Sequence, residues 1–170
     1  MKKLIVLCAV VAAYISISFI PKGDLVVTSN SFKHNQDIPR KYSCEGENIS
    51  PDLHISNIPA EAKSLAIVMH DPDAQMKGGF THWIVWNIST DGLIPENFQG
   101  GKQGMNSRKK NGYIGMCPPT GTHHYHFTVY ALDTQLDIVD KTDKAGLEGA
   151  MTGHILAKGE LTGLYKKRGK

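Results

Sequence analysis

A chain of 170 residues, 41% of them apolar and 21% charged, is long enough to bury the core of a single globular domain. Its formal charge of +3 is small, and the basic cluster at its C-terminus, Lys166, Lys167, Arg168 and Lys170, is typical of a solvated tail. These properties argue against a disordered chain and give no support to a nucleic-acid-binding surface.

The first 22 residues are predicted to be a signal peptide, which leaves residues 23–170 as one domain. Met1-Lys2-Lys3 precedes an apolar stretch, and the small residues Ser16 and Ser18 follow before Pro21. The apolar stretch approaches the length of a short transmembrane helix, so a retained anchor is the alternative. The serines and the proline favour cleavage, at a position that stays open, and the mature protein is expected to be periplasmic or secreted.

Two cysteines remain after such a cleavage, Cys44 and Cys117. An exported protein folds in an oxidising compartment, where a disulfide between them can form. The spacing alone does not establish that the two sulfurs meet.

Short runs rich in β-branched or aromatic residues recur between Pro and Gly turn signals, which predicts a mainly antiparallel sheet protein. In chain order these predicted strands are Leu25 to Val27, Leu53 with Ile55, Leu65 to Met69, His82 to Ile88, and Tyr125 to Leu132.

One helix is predicted near the C-terminal end, from about Asp143 to Leu156, with Thr142 or Asp143 as its N-cap. Three glycines within it weaken its helical propensity. Imperfect alternation of polar and apolar residues after Leu156 predicts a final short strand.

Two segments place histidines beside rigid turns at strand ends: HDPDAQ at 70–75, leading to THW at 81–83, and GYIGMCPPTGTHHY at 112–125. Period-two alternation puts His82 on one face of its strand with Ile84, Trp86 and Ile88. The same rule puts His123, Tyr125, Phe127 and Val129 on one face of the later strand. Three strand ends would thus supply Asp71, Asp73, His82, His123 and Tyr125 to one site.

Such a site suits a small anion such as phosphate or sulfate. Imidazoles titrate near neutral pH and can donate to an anionic oxygen, and Tyr125 adds a hydroxyl. Glycines such as Gly115 and Gly121 would let backbone N–H groups approach the anion. The two aspartates would either orient a histidine or meet the ammonium of a zwitterionic ligand. Phosphoethanolamine would satisfy both demands.

Both segments resemble the signature regions of the phosphatidylethanolamine-binding protein family, in its bacterial Raf-kinase-inhibitor-like branch. The segment CEGENISPDL at 44–53 also looks like that family's early Ser-Pro-x-Leu segment. The resemblance implies an antiparallel β-sandwich that binds a phosphorylated headgroup. It implies these ligand-binding residues: Asp71, Asp73, His82, Gly115, Pro118, Pro119, His123 and Tyr125. No metal or cofactor is expected.

Three positions depart from the family pattern. Gln75 stands where a proline is usual, Met116 stands where bacterial members usually have proline, and His124 replaces an arginine. Because His124 alternates away from His123, its change is expected to alter surface contacts more than the pocket.

Three other functions compete with ligand binding. A cysteine hydrolase would use Cys117 with His82 or His123, but Pro118 and Pro119 have no N–H to stabilise an oxyanion. A metal site lacks the usual ligand spacings. The resemblance also implies, as an alternative, an inhibitor of a partner protein such as a protease or a kinase. We therefore expect a binding protein rather than an enzyme, with membrane contact only through a headgroup or an uncleaved signal segment.

Overall fold

The computed structural model describes residues 23–168, so the predicted signal peptide lies outside the described residues. The described chain forms nine strands and one α-helix, in this order: β1 (Val26–Thr28), β2 (Gln36–Asp37), β3 (Leu53–Ser56), β4 (Ser64–Asp71), β5 (Phe80–Ile88), β6 (Leu93–Ile94), β7 (Lys102–Gln103), β8 (Thr122–Leu132), α1 (Lys144–Met151) and β9 (Ile155–Lys166). Within this range, no helix is both long and apolar enough to cross a membrane.

The strands form two sheets, and the prediction of a mainly β protein with antiparallel sheets is confirmed. The larger sheet has the order β2-β9-β8-β4-β5-β7, and the smaller has the order β1-β3-β6. All pairs in these sheets are antiparallel except β2 with β9. The five predicted strands correspond to β1, β3, β4, β5 and β8, and the final strand, β9, is 12 residues long.

Two hydrophobic cores lie on opposite faces of the larger sheet. The larger core joins the two sheets through residues such as Leu53, Trp83 and Phe127. The smaller core lies beneath α1, whose Leu147 and Met151 are buried against the sheet. The side chains on both faces of the central strands are therefore packed against buried neighbours.

The helix is shorter than its sequence pattern predicts. Asp143 caps it, since a carboxylate oxygen accepts the Gly146 N–H at 3.2 Å, but the helix ends at Met151 rather than near Leu156. Gly153 has a φ of 83°, a left-handed conformation that stops a helix and that glycine adopts without strain. The chain then enters β9 at Ile155.

A β-bulge reverses the predicted orientation of His82. Met69 of β4 pairs with Trp83, but the next residue, His70, pairs with Thr81, so His82 is an extra residue in β5. Bulges of this kind re-aim a side chain at a sheet end. The assignment of His82 to the face of Trp86 was wrong, because His82 points to the face of Trp83.

A second irregularity lies at the other end of β5. Leu65 pairs with Ile88 whereas Ile67 pairs with Val85, which again leaves one extra residue in β5. Ile88 consequently packs in the larger core and Trp86 in the smaller one. Strict alternation therefore failed at both ends of this strand and held between them.

Candidate functional site

A cavity of about 500 Å³ opens where β4 ends and β5 and β8 begin, beside the chain at 114–119. Its volume lies within the range of small-molecule sites. The structure brings together every predicted ligand-binding residue except Asp73: the cavity is lined by Asp71, His82, Gly115, Pro118, Pro119, His123 and Tyr125.

Asp71 and His123 form a buried pair at the base of the site. Nδ1 of His123 donates to Oδ2 of Asp71 at 2.8 Å, and the two side chains are 9% and 4% exposed respectively. The other carboxylate oxygen accepts the N–H groups of Asp73 and Ala74 at 2.9 and 3.1 Å. Both oxygens of Asp71 are thus engaged in fixing the turn and orienting the ring.

His82 is held by a different kind of partner. Its Nδ1 lies 2.7 Å from the carbonyl oxygen of Ile114, which can only accept a hydrogen bond, so Nδ1 carries the proton. Burial lowers the pKa of His82 to about 4, although the Ile114 bond and the charge of Asp71 act in the opposite direction. The ring is therefore neutral at physiological pH, contrary to the expectation that it titrates near neutrality.

This low pKa predicts acid sensitivity that depends on His82. The unfolded chain takes up a proton near the ordinary histidine pKa of 6.5, whereas the folded ring does so near 4. As pH falls between these values the unfolded state gains a proton that the folded state lacks, so the free energy of unfolding decreases by about 3 kcal/mol. Urea denaturation at a series of pH values measures this decrease.

The variant His82→Asn keeps an amide N–H near the Nδ1 position but does not titrate. As the pH falls from 6.5 to about 4, its free energy of unfolding should therefore decrease by about 3 kcal/mol less than that of wild type. His154→Asn, at a largely exposed histidine, is the control and should retain the full His82 contribution. Parallel pH curves for wild type and His82→Asn would contradict the assignment.

Tyr125 places a hydroxyl in the cavity wall without a partner. The residue is fully buried, and its hydroxyl has no hydrogen-bond partner among residues 23–168. Its ring lies edge-on to His82, with 5.2 Å between ring centroids. Burial raises the pKa of Tyr125, and the Asp71 carboxylate raises it further through its charge and an attraction for the hydroxyl proton that falls short of a hydrogen bond, so the hydroxyl keeps its proton. An unpaired buried donor is costly unless something binds to it.

Asp73 is directed away from the cavity and onto the surface. Its Oδ2 accepts the backbone N–H and the Nδ1–H of His124 at 2.8 and 2.7 Å, and these bonds lower the pKa of Asp73. The structure therefore places Asp73 outside the cavity lining. His124 is half exposed in this pair, as expected from its alternation away from His123.

The wall opposite the histidines is tightly built. A Cβ on Gly115 would lie 2.5 Å from the Tyr42 carbonyl oxygen, so only glycine fits there. The Gly115 N–H already donates to Oδ1 of Asn48 at 2.7 Å and is not free for an anion. Cys44 and Cys117, whose pairing the sequence left open, are joined by a disulfide that also lines the cavity. Gly121 lies outside the lining.

A family model described as phosphatidylethanolamine-binding protein matches residues 28–166 of this chain, which carry the fold and the whole cavity. The chain belongs to the phosphatidylethanolamine-binding protein family. A UPF0098 protein of Pyrococcus horikoshii is 47% identical over 151 residues, which cover 82% of this chain and 76% of that protein. A UPF0098 protein of Chlamydia trachomatis is 41% identical over 149 residues, covering 83% of this chain and 98% of the relative.

Solved structures agree with this family assignment. The structure of CT736, a phosphatidylethanolamine-binding protein homologue of Chlamydia trachomatis, has a TM-score of 0.82 at 41% identity, covering 85% of this chain and 98% of CT736. YbcL of E. coli has a TM-score of 0.79 at 33% identity, covering 86% of this chain and 100% of YbcL. The family resemblance of the two motifs is thereby confirmed over nearly the whole described chain.

The phosphatidylethanolamine-binding fold also brings residues to the cavity that no motif indicated. Arg108 lines it as an exposed cation and has no ion-pair partner among the described side chains. The sequence feature that could have indicated Arg108 is the basic run Arg108-Lys109-Lys110, just before the second motif. Met76 and Phe80 add apolar lining, as does Ile114, which lies within the second motif but was not among its predicted ligand-binding residues. Across residues 23–168, no cluster of three His, Cys, Asp or Glu side chains is arranged to hold a metal ion.

Proposed function

We propose that this domain binds a small anion carrying a phosphate group in the cavity between Asp71, His82 and Tyr125. The buried, unpartnered hydroxyl of Tyr125 is the observation that carries this proposal. A protonated phenol in a largely desolvated wall is suited to donate to an anionic oxygen, because it then satisfies its own hydrogen-bonding capacity.

Two further groups favour negative charge in the ligand. Nδ1 of His123 is committed to Asp71, so the remaining ring nitrogen, Nε2, is available to the cavity; when it is protonated, Asp71 balances the positive charge of the ring. Arg108 adds a permanent cation to the lining. The site thus combines a buried hydroxyl, a charge-balanced histidine and an exposed guanidinium.

The two aspartates do not favour a specific pocket for an ammonium group. Asp71 is engaged through both oxygens, and Asp73 pairs with His124 at the surface. Recognition therefore centres on the phosphate, and at about pH 5.5 we expect phosphoethanolamine and inorganic phosphate to bind with affinities within about tenfold of each other.

The Cys44–Cys117 bond supports binding rather than cysteine catalysis, and export rather than residence in a reducing compartment. While the bond is intact, Cys117 has no thiol to act as a nucleophile. Structural disulfides persist mainly in oxidising compartments. We therefore propose an exported binding protein.

Replacing Tyr125 with phenylalanine tests the proposal through two effects that oppose each other. Loss of the hydroxyl should weaken phosphate binding about tenfold, the effect of one hydrogen bond to a charged group. The free energy of unfolding of the ligand-free variant should equal or exceed that of wild type, because an unpaired buried hydroxyl has been removed. Titration calorimetry and urea denaturation measure the two quantities.

Tyr113→Phe is the matched control. Its hydroxyl donates to the Tyr42 carbonyl at 2.8 Å and does not line this cavity, so its loss should lower stability by about 1 kcal/mol and leave phosphate affinity unchanged. Unaltered phosphate affinity in Tyr125→Phe, or no binding of phosphate and phosphoethanolamine to wild type, would contradict the proposed function.

A further inference from the structure

The two histidines of the cavity donate through Nδ1 to different kinds of acceptor. This difference determines how each ring can interact with a ligand. His123 donates through Nδ1 to a carboxylate, which can balance a positive ring. His82 donates through Nδ1 to the carbonyl of Ile114, which carries no net charge. His82 is also only 5% exposed, so a charge on it would be poorly solvated.

This arrangement leaves Nε2 of His82 as a hydrogen-bond acceptor. In a neutral imidazole with the proton on Nδ1, the second nitrogen presents a lone pair. Hydrogen bonds from the described protein residues do not reach this nitrogen, and the ring lines the cavity. An unprotonated anionic oxygen placed there would be repelled, whereas an O–H group would be bound.

We propose that the cavity selects a phosphate group that still carries a proton, with its P–O–H donating to Nε2 of His82 and its remaining oxygens accepting from Tyr125 and His123. This inference rests on the proposed function and adds a specificity to it. Sulfate has a similar shape and size but carries no proton near neutral pH, so it would be bound less tightly.

Other titratable or charged groups face His82 from each neighbouring element. They are Asp71 and His70 from β4, His123 and Tyr125 from β8, and Arg108 from the chain after β7. At about pH 8 phosphate and sulfate are both mainly dianions, so these charges act on the two in much the same way. The ratio of phosphate to sulfate affinity at about pH 8 therefore isolates the contribution of the proton-accepting nitrogen.

The test compares three anions by titration calorimetry on the wild-type domain at about pH 5.5 and about pH 8. Inorganic phosphate keeps at least one proton at both values, methyl phosphate loses its last proton above about pH 6, and sulfate has none. We expect phosphate to bind at least about tenfold more tightly than sulfate at both values, the effect of one hydrogen bond to a charged group. Methyl phosphate should resemble phosphate at the lower pH and sulfate at the higher.

Phosphoethanolamine is a fourth ligand that separates two sources of the donated proton. It should lose affinity with rising pH as methyl phosphate does. If it keeps its affinity at about pH 8 while methyl phosphate loses it, the ammonium supplies the proton and the P–O–H assignment is overturned.

The variant His82→Asn can retain the hydrogen bond to Ile114 but lacks an acceptor at the position of Nε2. It should bind phosphate and sulfate with similar affinities, whereas His124→Asn, at the surface pair with Asp73, should keep the wild-type preference. Equal binding of sulfate and phosphate to wild type would overturn this inference and leave the proposed function intact. Absence of binding by all four ligands would overturn both.

Discussion

The variant Asp71→Asn is expected to lose most of its affinity for phosphate. Asparagine can keep an oxygen for the Asp73 and Ala74 N–H groups, but it then turns an NH₂ group toward Nδ1 of His123. The ring must release its Nδ1 proton or move away, and no negative charge remains to balance it. We expect phosphate affinity to decrease by at least about tenfold and stability to decrease by about 1–3 kcal/mol. Titration calorimetry and urea denaturation measure the two decreases.

Asp73→Asn is the control for this experiment, since the two aspartates stand two positions apart in one turn. Asp73 accepts from His124 with its side chain 41% exposed, so its loss should cost less than about 1 kcal/mol. Phosphate affinity should stay within about twofold of wild type, because the residue does not line the cavity. A folded Asp71→Asn protein with wild-type phosphate affinity would show that the buried Asp71–His123 pair does not organise the site. Equal losses of affinity in Asp71→Asn and Asp73→Asn would show the same.

The faces of β8 near the site could be predicted from the sequence because residues 122–131 pair with β9 in unbroken register. His123, Tyr125 and Phe127 alternate inward along it, and the register shift of β8 against β9 lies beyond them, between Ala131 and Leu132. In β5 the same rule failed at His82, because a bulge depends on how the partner strand pairs, and a single strand's pattern does not contain that information.

The sequence indicated most of the residues that line the candidate site, but it did not indicate how they are oriented or protonated. Asp71 and Asp73 look equivalent in the sequence, yet the turn at Pro72 points one into the cavity and the other to His124. The neutrality of His82 follows from burial and from the Ile114 carbonyl, which is 32 residues away in the chain. Both features depend on three-dimensional surroundings that residue spacing does not specify.

Removal of the disulfide is expected to have the largest effect on stability. The double variant Cys44→Ser, Cys117→Ser opens a cross-link between residues 73 positions apart. The loss of such a constraint on the unfolded chain lowers the free energy of unfolding by about 4 kcal/mol in the chain-entropy model. Urea denaturation of the double variant against the oxidised wild type measures this difference.

Phosphate affinity should nevertheless change little, within about threefold, because hydrogen bonds hold the cavity wall in addition to the disulfide. The Cys44 N–H donates to the Met116 carbonyl at 3.0 Å, and Gly115 donates to Asn48 across the same gap. Both cysteines are exposed, so a thiol reductant provides a matched control on the wild-type chain, and the reduced protein should match the double variant in both quantities. Equal stability of the oxidised and reduced proteins would contradict the cross-link's role. A large loss of affinity in a folded double variant would instead show that the disulfide itself shapes the cavity wall.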